Sequence, residues 1–409
     1  MFARSHLSPS VRFRRGPVAL VALVALAVVL AGCGSAPTPA AGSSGSSGIS
    51  TSGSSTSGSG ASGSGPDGAG PATEPAGGAA GSGAASSGAA SSGAPSSAGA
   101  SGAPSGAGAS GAAGNYRPVT VNNCGFSETF TAPPQRVVVI KSTSLEMLLA
   151  LGLGDRIVGT AFLDGPVPPE QRAAAERIPQ LAQQVPGREA LLGATPDLVY
   201  AGWESNLTDQ GAGNREGLLA DGVRSYVSPA ACKNKKYQPD PLTFDTVNNE
   251  IRELAAIFGV PERAEALIAK NTATLAAVKK KVAARSGPAP RVLWYSSGSD
   301  QPYVGAGIGA PAMIMRELGW QNIFADVSDT WASVSWEQVV AADPQLIVLV
   351  DATWNTAAKK KAQLAAGPAK DVDAVRNQRY LTVRFPATEA GVANVEAVST
   401  LAEQWQQLP

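Results

Sequence analysis

"GREALLGATPDLVY" (Gly187–Tyr200) and "SWEQVVAADPQLIVLV" (Ser335–Val350) are two renderings of one phrase. In each, a Glu (Glu189, Glu337) is followed seven positions later by a Pro (Pro196, Pro344), and the Pro opens a short apolar run. The segment before each Pro reads as a helix and the run after it as a buried strand of a sheet covered on both faces. Ser335 and Gln338 stand at capping-box spacing, and Gly187 serves as the other cap. A first-turn Glu is favoured by the helix macrodipole at about 0.3–1 kcal/mol, so either acid alone reads as an electrostatic cap. Two in equivalent places predict a pair of carboxylates at matching corners of two related units.

The flanking sequence predicts the same alternation twice. "RVVVI" (Arg136–Ile140) is a strand, and "STSLEMLLALG" after it is a helix with Thr143 and Glu146 at capping-box spacing. Strands follow from Arg156, at "PDLVYA" and at "GVRSYV" (Gly222–Val227), the last after a helix over 215–220. "FDTVNNEIRELAAIFG" and "PERAEALIAKNTATLAAVKKKVAARSG" then read as two helices, the second with Pro261 in its first turn and basic residues near its end. "PRVLWYSS", "PQLIVLVDA" and "RYLTVRF" are strands again, with a helix at "PAMIMRELG" and a closing helix over 392–407. The fold class is α/β: two Rossmann-like lobes with mostly parallel sheets, at 116–243 and 287–409, joined by a helical connection at 244–286.

The N-terminus stands apart. A basic start, an apolar stretch from Val18 to Leu30 and Leu30-Ala31-Gly32-Cys33 form a secretory signal over 1–32 resembling a bacterial lipobox, with Cys33 the lipidated first residue of the mature chain. The alternative is an uncleaved anchor; either places the protein outside the cytoplasmic membrane. Residues 33–115 are almost wholly Gly, Ala, Ser, Pro and Thr and bury no core. They read as a disordered tether with an r.m.s. span of roughly 50 Å.

Composition narrows the chemistry. Loss of the signal removes four arginines and no acid from a chain with 32 basic and 32 acidic residues, leaving a formal charge of −4, which suits no nucleic acid. It also removes His6, the single histidine, and with it every Ser-His-Asp triad, Cys-His pair and His-built zinc site. Cys124 and Cys232 read as one disulfide in an oxidising compartment, the alternative being two buried thiols. "GAGIG" (Gly305–Gly309) lacks the spacing of a phosphate loop, and no spacing supports a calcium loop or a two-metal carboxylate cage. No cofactor or metal is expected.

On "RVVVIKSTSLEMLLALG", "REALLGATPDLVYA", the linker helix, "APAMIMRELGWQNIF" and "SWEQVVAADPQLIVLV", residues 118–409 resemble the substrate-binding proteins of bacterial ABC importers for iron siderophores, haem and cobalamin. The resemblance implies two lobes joined by one long rigid helix, no catalysis, and docking of the Glu in each repeated phrase, here Glu189 and Glu337, onto arginines of a permease dimer in the cytoplasmic membrane. "VVVIKSTSLEMLLALGLGDRIVGTAFLDGPVP" looks more narrowly like an actinobacterial branch proposed to bind a precursor of the deazaflavin coenzyme F-420, one lacking its glutamate tail; a ferric siderophore or cobalamin is the alternative ligand.

Ligands of such folds sit beyond the carboxyl ends of strands, in a largely preformed cleft. The residues just past each expected strand are therefore candidates: Lys141, Ser142 and Thr143; Phe162, Leu163 and Asp164; Trp203 and Glu204; Trp294, Tyr295 and Ser296; Thr353, Trp354 and Asn355; Arg384 and Phe385. Tryptophans suit a planar ring, and Lys141 with Arg384 suits a phosphate or carboxylate. Competing readings are packing for Trp320 and Trp405, shielding of a helix start for Trp336, and pairing of Lys141 with Glu146 or Asp164. The expected product is a monomeric, membrane-tethered receptor for a small molecule. The rivals are an extracellular hydrolase using Asp164 and Glu204, and a wall-associated adhesin.

Overall fold

The computed structural model describes residues 116–408; the signal, Cys33 and the tether lie outside the described residues. The described chain opens with an antiparallel hairpin, β1 (Val119–Asn123) and β2 (Phe126–Phe130). Its turn residues Cys124 and Gly125 both take positive φ, 54° and 83°, as a two-residue type I′ turn requires.

Next come β3 (Val137–Ile140), α1 (Ser142–Ala150), β4 (Ile157–Ala161), α2 (Pro169–Ala175), β5 (Gln180–Ala182), α3 (Arg188–Gly193), β6 (Leu198–Ala201), α4 (Arg215–Ala220) and β7 (Arg224–Val227). Their strands form an all-parallel sheet in the order β5-β4-β3-β6-β7. The central strands β3 and β6 are buried at every position, the continuous apolar pattern of strands covered on both faces.

Two helices follow, α5 (Phe244–Phe258) and α6 (Pro261–Ala283). A Thr243–Thr246 capping box starts α5, Gly259 in the left-handed conformation (φ 68°) ends it, and Pro261 opens α6. At 1.5 Å per residue α6 runs about 35 Å. Its Ala264 and Ile268 belong to the first lobe's core and its Val278 to a core of the second, so one helix is rooted in both.

The second lobe contains β8 (Arg291–Ser297), β9 (Tyr303–Gly305), α7 (Ala310–Glu317), β10 (Gln321–Asn322), β11 (Trp331–Ser333), α8 (Trp336–Ala342), β12 (Leu346–Asp351), α9 (Ala357–Ala366), α10 (Asp373–Arg376), β13 (Tyr380–Arg384) and α11 (Ala393–Gln407). Its sheet runs β11-β9-β8-β12-β13 with β10 also on β8; β9 and β11 are the antiparallel members. In the two sheets β6 and β12 hold the same place, between an inner parallel strand (β3, β8) and an outer one (β7, β13).

Several details differ from the sequence reading. The hairpin was not anticipated, although "VTVNNCGFSETF" alternates and turns on Cys-Gly. Side chains anchor it to β7: Asn123 bonds both backbone groups of Val227, the buried Arg215 donates to Asn123 O and to Ser225, and Glu128 accepts from Ser225. Cys124 is disulfide-bonded to Cys232 beyond β7. The Thr143–Glu146 capping box does not form, because α1 begins at Ser142 with Lys141 as its N-cap and Glu146 is engaged elsewhere. The Ser335–Gln338 box does form. The glycines of "GAGIG" serve packing: a Cβ on Gly305 would strike Pro311, and one on Gly307 the carbonyls of Ala325 and Val327. Trp320 and Trp405 pack edge to face, centroids 5.3 Å apart.

Candidate functional site

Lys141 sits where β3 ends and α1 begins, at φ 88°, a backbone conformation that costs a side-chain-bearing residue of order 1–3 kcal/mol and collects at functional sites. Its side chain is fully buried. The ammonium meets the Asp164 carboxylate from the loop after β4 and lies 3.3 Å from the ring centroid of Trp203, which follows β6. Phe162 (4.9 Å) and Phe385 (5.1 Å) complete an aromatic wall. Gly202 allows this approach, since a Cβ there would stand 2.8 Å from Lys141 Cβ and Thr143 Oγ1.

The second lobe reaches the same point. Glu389, between β13 and α11, places its carboxylate 3.5 Å from Lys141 Nζ. Arg384 at the end of β13 donates twice to Glu146 of α1, at 2.6 and 2.8 Å, and twice to Glu396, at 3.0 and 2.6 Å. The lobes come close enough here that a Cβ on Gly165 would lie 2.6 Å from Pro386. Burial pushes Glu146 up to about 7 against the opposing bonds from Arg384. Burial likewise pushes Glu389 up to about 7 against the pull of Lys141, and Asp164 adds repulsion. For Arg384, burial works against the charge, but Glu146 and Glu396 outweigh it and hold the guanidinium above its usual range. Lys141 and Arg384, expected to await a ligand in a preformed cleft, are each paired within their own lobe, with Asp164 and Glu396, and across the gap, with Glu389 and Glu146; this corrects that expectation and matches the competing reading of Lys141 against Asp164.

The remaining candidates divide. Phe162 and Trp203 meet edge to face at 5.9 Å beside Lys141. Trp354, 45% exposed, stands edge-on to Phe385 at 5.1 Å. Ser142 and Thr143 are buried rather than presented; Ser142 Oγ accepts from Asp164 N and donates to Gly165 O, fixing the loop that carries Asp164. Asp164 is likewise buried against Lys141. Trp294 and Tyr295 were expected just past a strand but lie inside β8, fully buried, because that strand continues to Ser297 and its two faces both carry core. Tyr295 donates to Gly298 O and packs against Trp336, which shields the start of α8 as one reading held. Glu204 accepts from the Lys233 backbone near the disulfide, so Asp164 and Glu204 are each bound to a different partner. Glu189 and Glu337 are exposed in the first turns of α3 and α8. The Ser335 hydroxyl holds Glu337 below the usual carboxylate range.

Two residues of this neighbourhood escaped the sequence reading. Glu389 follows "RFPAT", a short 3-10 turn that returns an acid to the strand end. Lys360 of α9, fully buried, donates to Val350 O and Asn355 O and so pins the turn that presents Trp354; burial lowers it to about 8. An acid just after a terminal strand and a lysine in the helix after another were the available signals.

Comparison with known proteins agrees with this architecture. A family profile described as periplasmic binding protein matches residues 137–386. The vitamin B12-binding protein of Photorhabdus laumondii is 26% identical over 226 residues, 55% of this chain and 74% of that protein. An ABC-type Fe3+-hydroxamate transport system structure from Saccharomonospora viridis matches with TM-score 0.61 and 28% identity, covering 70% of this chain and 99% of that one. A periplasmic binding protein structure from Veillonella parvula matches with TM-score 0.62 and 26% identity, covering 70% and 97%.

Proposed function

The chain belongs to the periplasmic binding protein family, the class of ABC-importer substrate-binding proteins with two α/β lobes on a shared helix, and from that premise we propose that it captures a small molecule between its lobes and delivers it to an ABC permease dimer. The observation that carries the delivery step is the exposed pair Glu189 and Glu337, each in the first turn of the helix that feeds the equivalent strand of its lobe. A two-fold partner with one basic pocket per subunit engages one acid from each lobe. Glu189→Arg combined with Glu337→Arg leaves ligand affinity unchanged and abolishes uptake in the host; normal uptake by that variant overturns the docking assignment.

Capture falls to Lys141, Phe162, Trp203, Trp354, Arg384 and Phe385, which combine ring faces with two cations at the lobe interface. The ligand favoured by the 137–168 segment is a deazaflavin coenzyme precursor, whose planar ring suits those faces. A ferric hydroxamate or cobalamin is the second reading, supported by the relatives bearing those names. Protein purified from its host carries blue-fluorescent material of deazaflavin mass in the first case and iron- or cobalt-containing material in the second, as native mass spectrometry reads directly. Cys33 provides the lipid anchor outside the cytoplasmic membrane, and residues 34–115 the reach. No bond is made or broken.

A further inference from the structure

The buried cage around Lys141 holds one ammonium and two carboxylates, and their origins differ. Lys141, Asp164, Phe162 and Trp203 come from the first lobe; Glu389 is the charge brought in from the second. Asp164 is built into its place, its backbone N–H bonded to Ser142 Oγ. Glu389 is held at the main chain, where Asn394 Nδ2 donates to its carbonyl at 2.7 Å, but its carboxylate stands farther from Lys141, at 3.5 Å, than that of Asp164, which meets the ammonium directly. Burial keeps it far less acidic than an ordinary Glu. A carboxylate in this position gains little from its own ion pair after desolvation.

We propose that Glu389 is a built-in competitor for the ligand's own anionic group: its carboxylate holds the second anion position of Lys141, and a ligand carboxylate or phosphate attached to an aromatic ring takes that position as Glu389 is displaced. The ring-bearing part of such a ligand finds Trp203 and Phe385 beside the cation and Trp354 at the open edge. Glu389 then sets specificity, since a neutral ring offers Lys141 nothing in exchange for the pair it would break. The inference rests on the reading of the interlobe space as the capture site and not on the deazaflavin reading, whose precursor lacks the carboxylates of the glutamate tail.

The test titrates phenylphosphonate, benzoate and the uncharged control benzamide into the full-length protein, following tryptophan fluorescence and heat. Glu389→Gln binds both anions about tenfold tighter than the parent, the size of one recovered charge-assisted contact, while benzamide is unaffected; adding Lys141→Met removes the gain. Should Glu389→Gln fail to fold, Glu389→Asp, which withdraws the carboxylate by one methylene, shows the same ordering. Unchanged or weaker anion binding, a gain that survives loss of Lys141, or no anion binding by any variant at millimolar concentration overturns the proposal. Host uptake and co-purified ligand judge the capture reading separately: a co-purified ligand lacking any anionic group overturns the role of Glu389 and leaves capture standing, whereas loss of the gene without effect on uptake removes capture and leaves the anion titration to decide Glu389.

Discussion

Glu250 shows how one buried side chain sets the pH response of the fold. It lies on the inner face of α5, fully buried, accepting from Tyr200 Oη at 2.9 Å and from Ser228 Oγ at 3.2 Å. Burial pushes it up to about 7, and those two bonds pull it back only in part. A carboxyl whose folded pKa exceeds its unfolded value binds a proton on folding. Its contribution is therefore fully present below about 4.5 and is lost as pH rises through about 7. Glu389 and Glu146 act in the same direction. Melting temperature is expected to fall as pH rises from 5 to 8. Glu250→Gln, which keeps an acceptor for Tyr200 and offers an amide N–H to the Ser228 hydroxyl in place of the oxygen that accepted from it, flattens part of that slope and raises stability at pH 8 by roughly 1–3 kcal/mol. A scanning-calorimetry series that leaves the slope unchanged excludes Glu250 as its source.

At the scale of elements, the β1–β2 hairpin and the shared helices do different work. The hairpin is short, and a two-stranded ribbon alone is marginal in water. It holds because Asn123, Glu128 and Arg215 satisfy one another and the outer backbone of β7, and because Cys124 is tied to Cys232, 108 positions away. A closed loop of that length is worth up to about 4.7 kcal/mol in the chain-entropy account. Cys124→Ser with Cys232→Ser is expected to lower chemical stability by about 2–4 kcal/mol, and hydrogen exchange to rise first over 119–130. An unchanged denaturation midpoint counts against that assignment. Helix α6 needs no such staple, since its Ile268 and Val278 are buried in different cores.

Across the whole molecule, the lobes meet through charge. Glu146 is almost completely buried, and Arg384 is its counter-ion from 238 residues away. Breaking a buried pair by removing one partner commonly costs about 3–5 kcal/mol, because the other charge is left uncompensated. Arg384→Met should therefore loosen the lobe contact most at pH 8, where the parent holds Glu146 ionised against Arg384 and the variant loses that pair, and least at pH 5, where Glu146 is protonated in both. Hydrogen exchange over 162–168 and 385–392 reads this directly; equal exchange at both pH values in variant and parent excludes the clamp.

Much of the fold was written in local pattern. The strands β3, β6 and β12, the helices α5 and α6 and the caps at Thr243, Gly259 and Ser335 follow from apolar runs, helical periodicity and capping chemistry, each decided within a turn or two of chain. Glu189 and Glu337 were legible for the same reason, since a first-turn acid before a strand is a local fact repeated. What local pattern does not carry is depth and distance. "PRVLWYSS" does not reveal that Trp294 and Tyr295 lie within the strand, because an apolar run has no mark where burial ends. Nor does any spacing announce that Arg384 meets Glu146, or that Glu389 returns to Lys141. Those meetings arise only when two lobes, each folded on its own pattern, are set against one another by a common helix, and the low dielectric between them turns distant acids and bases into partners.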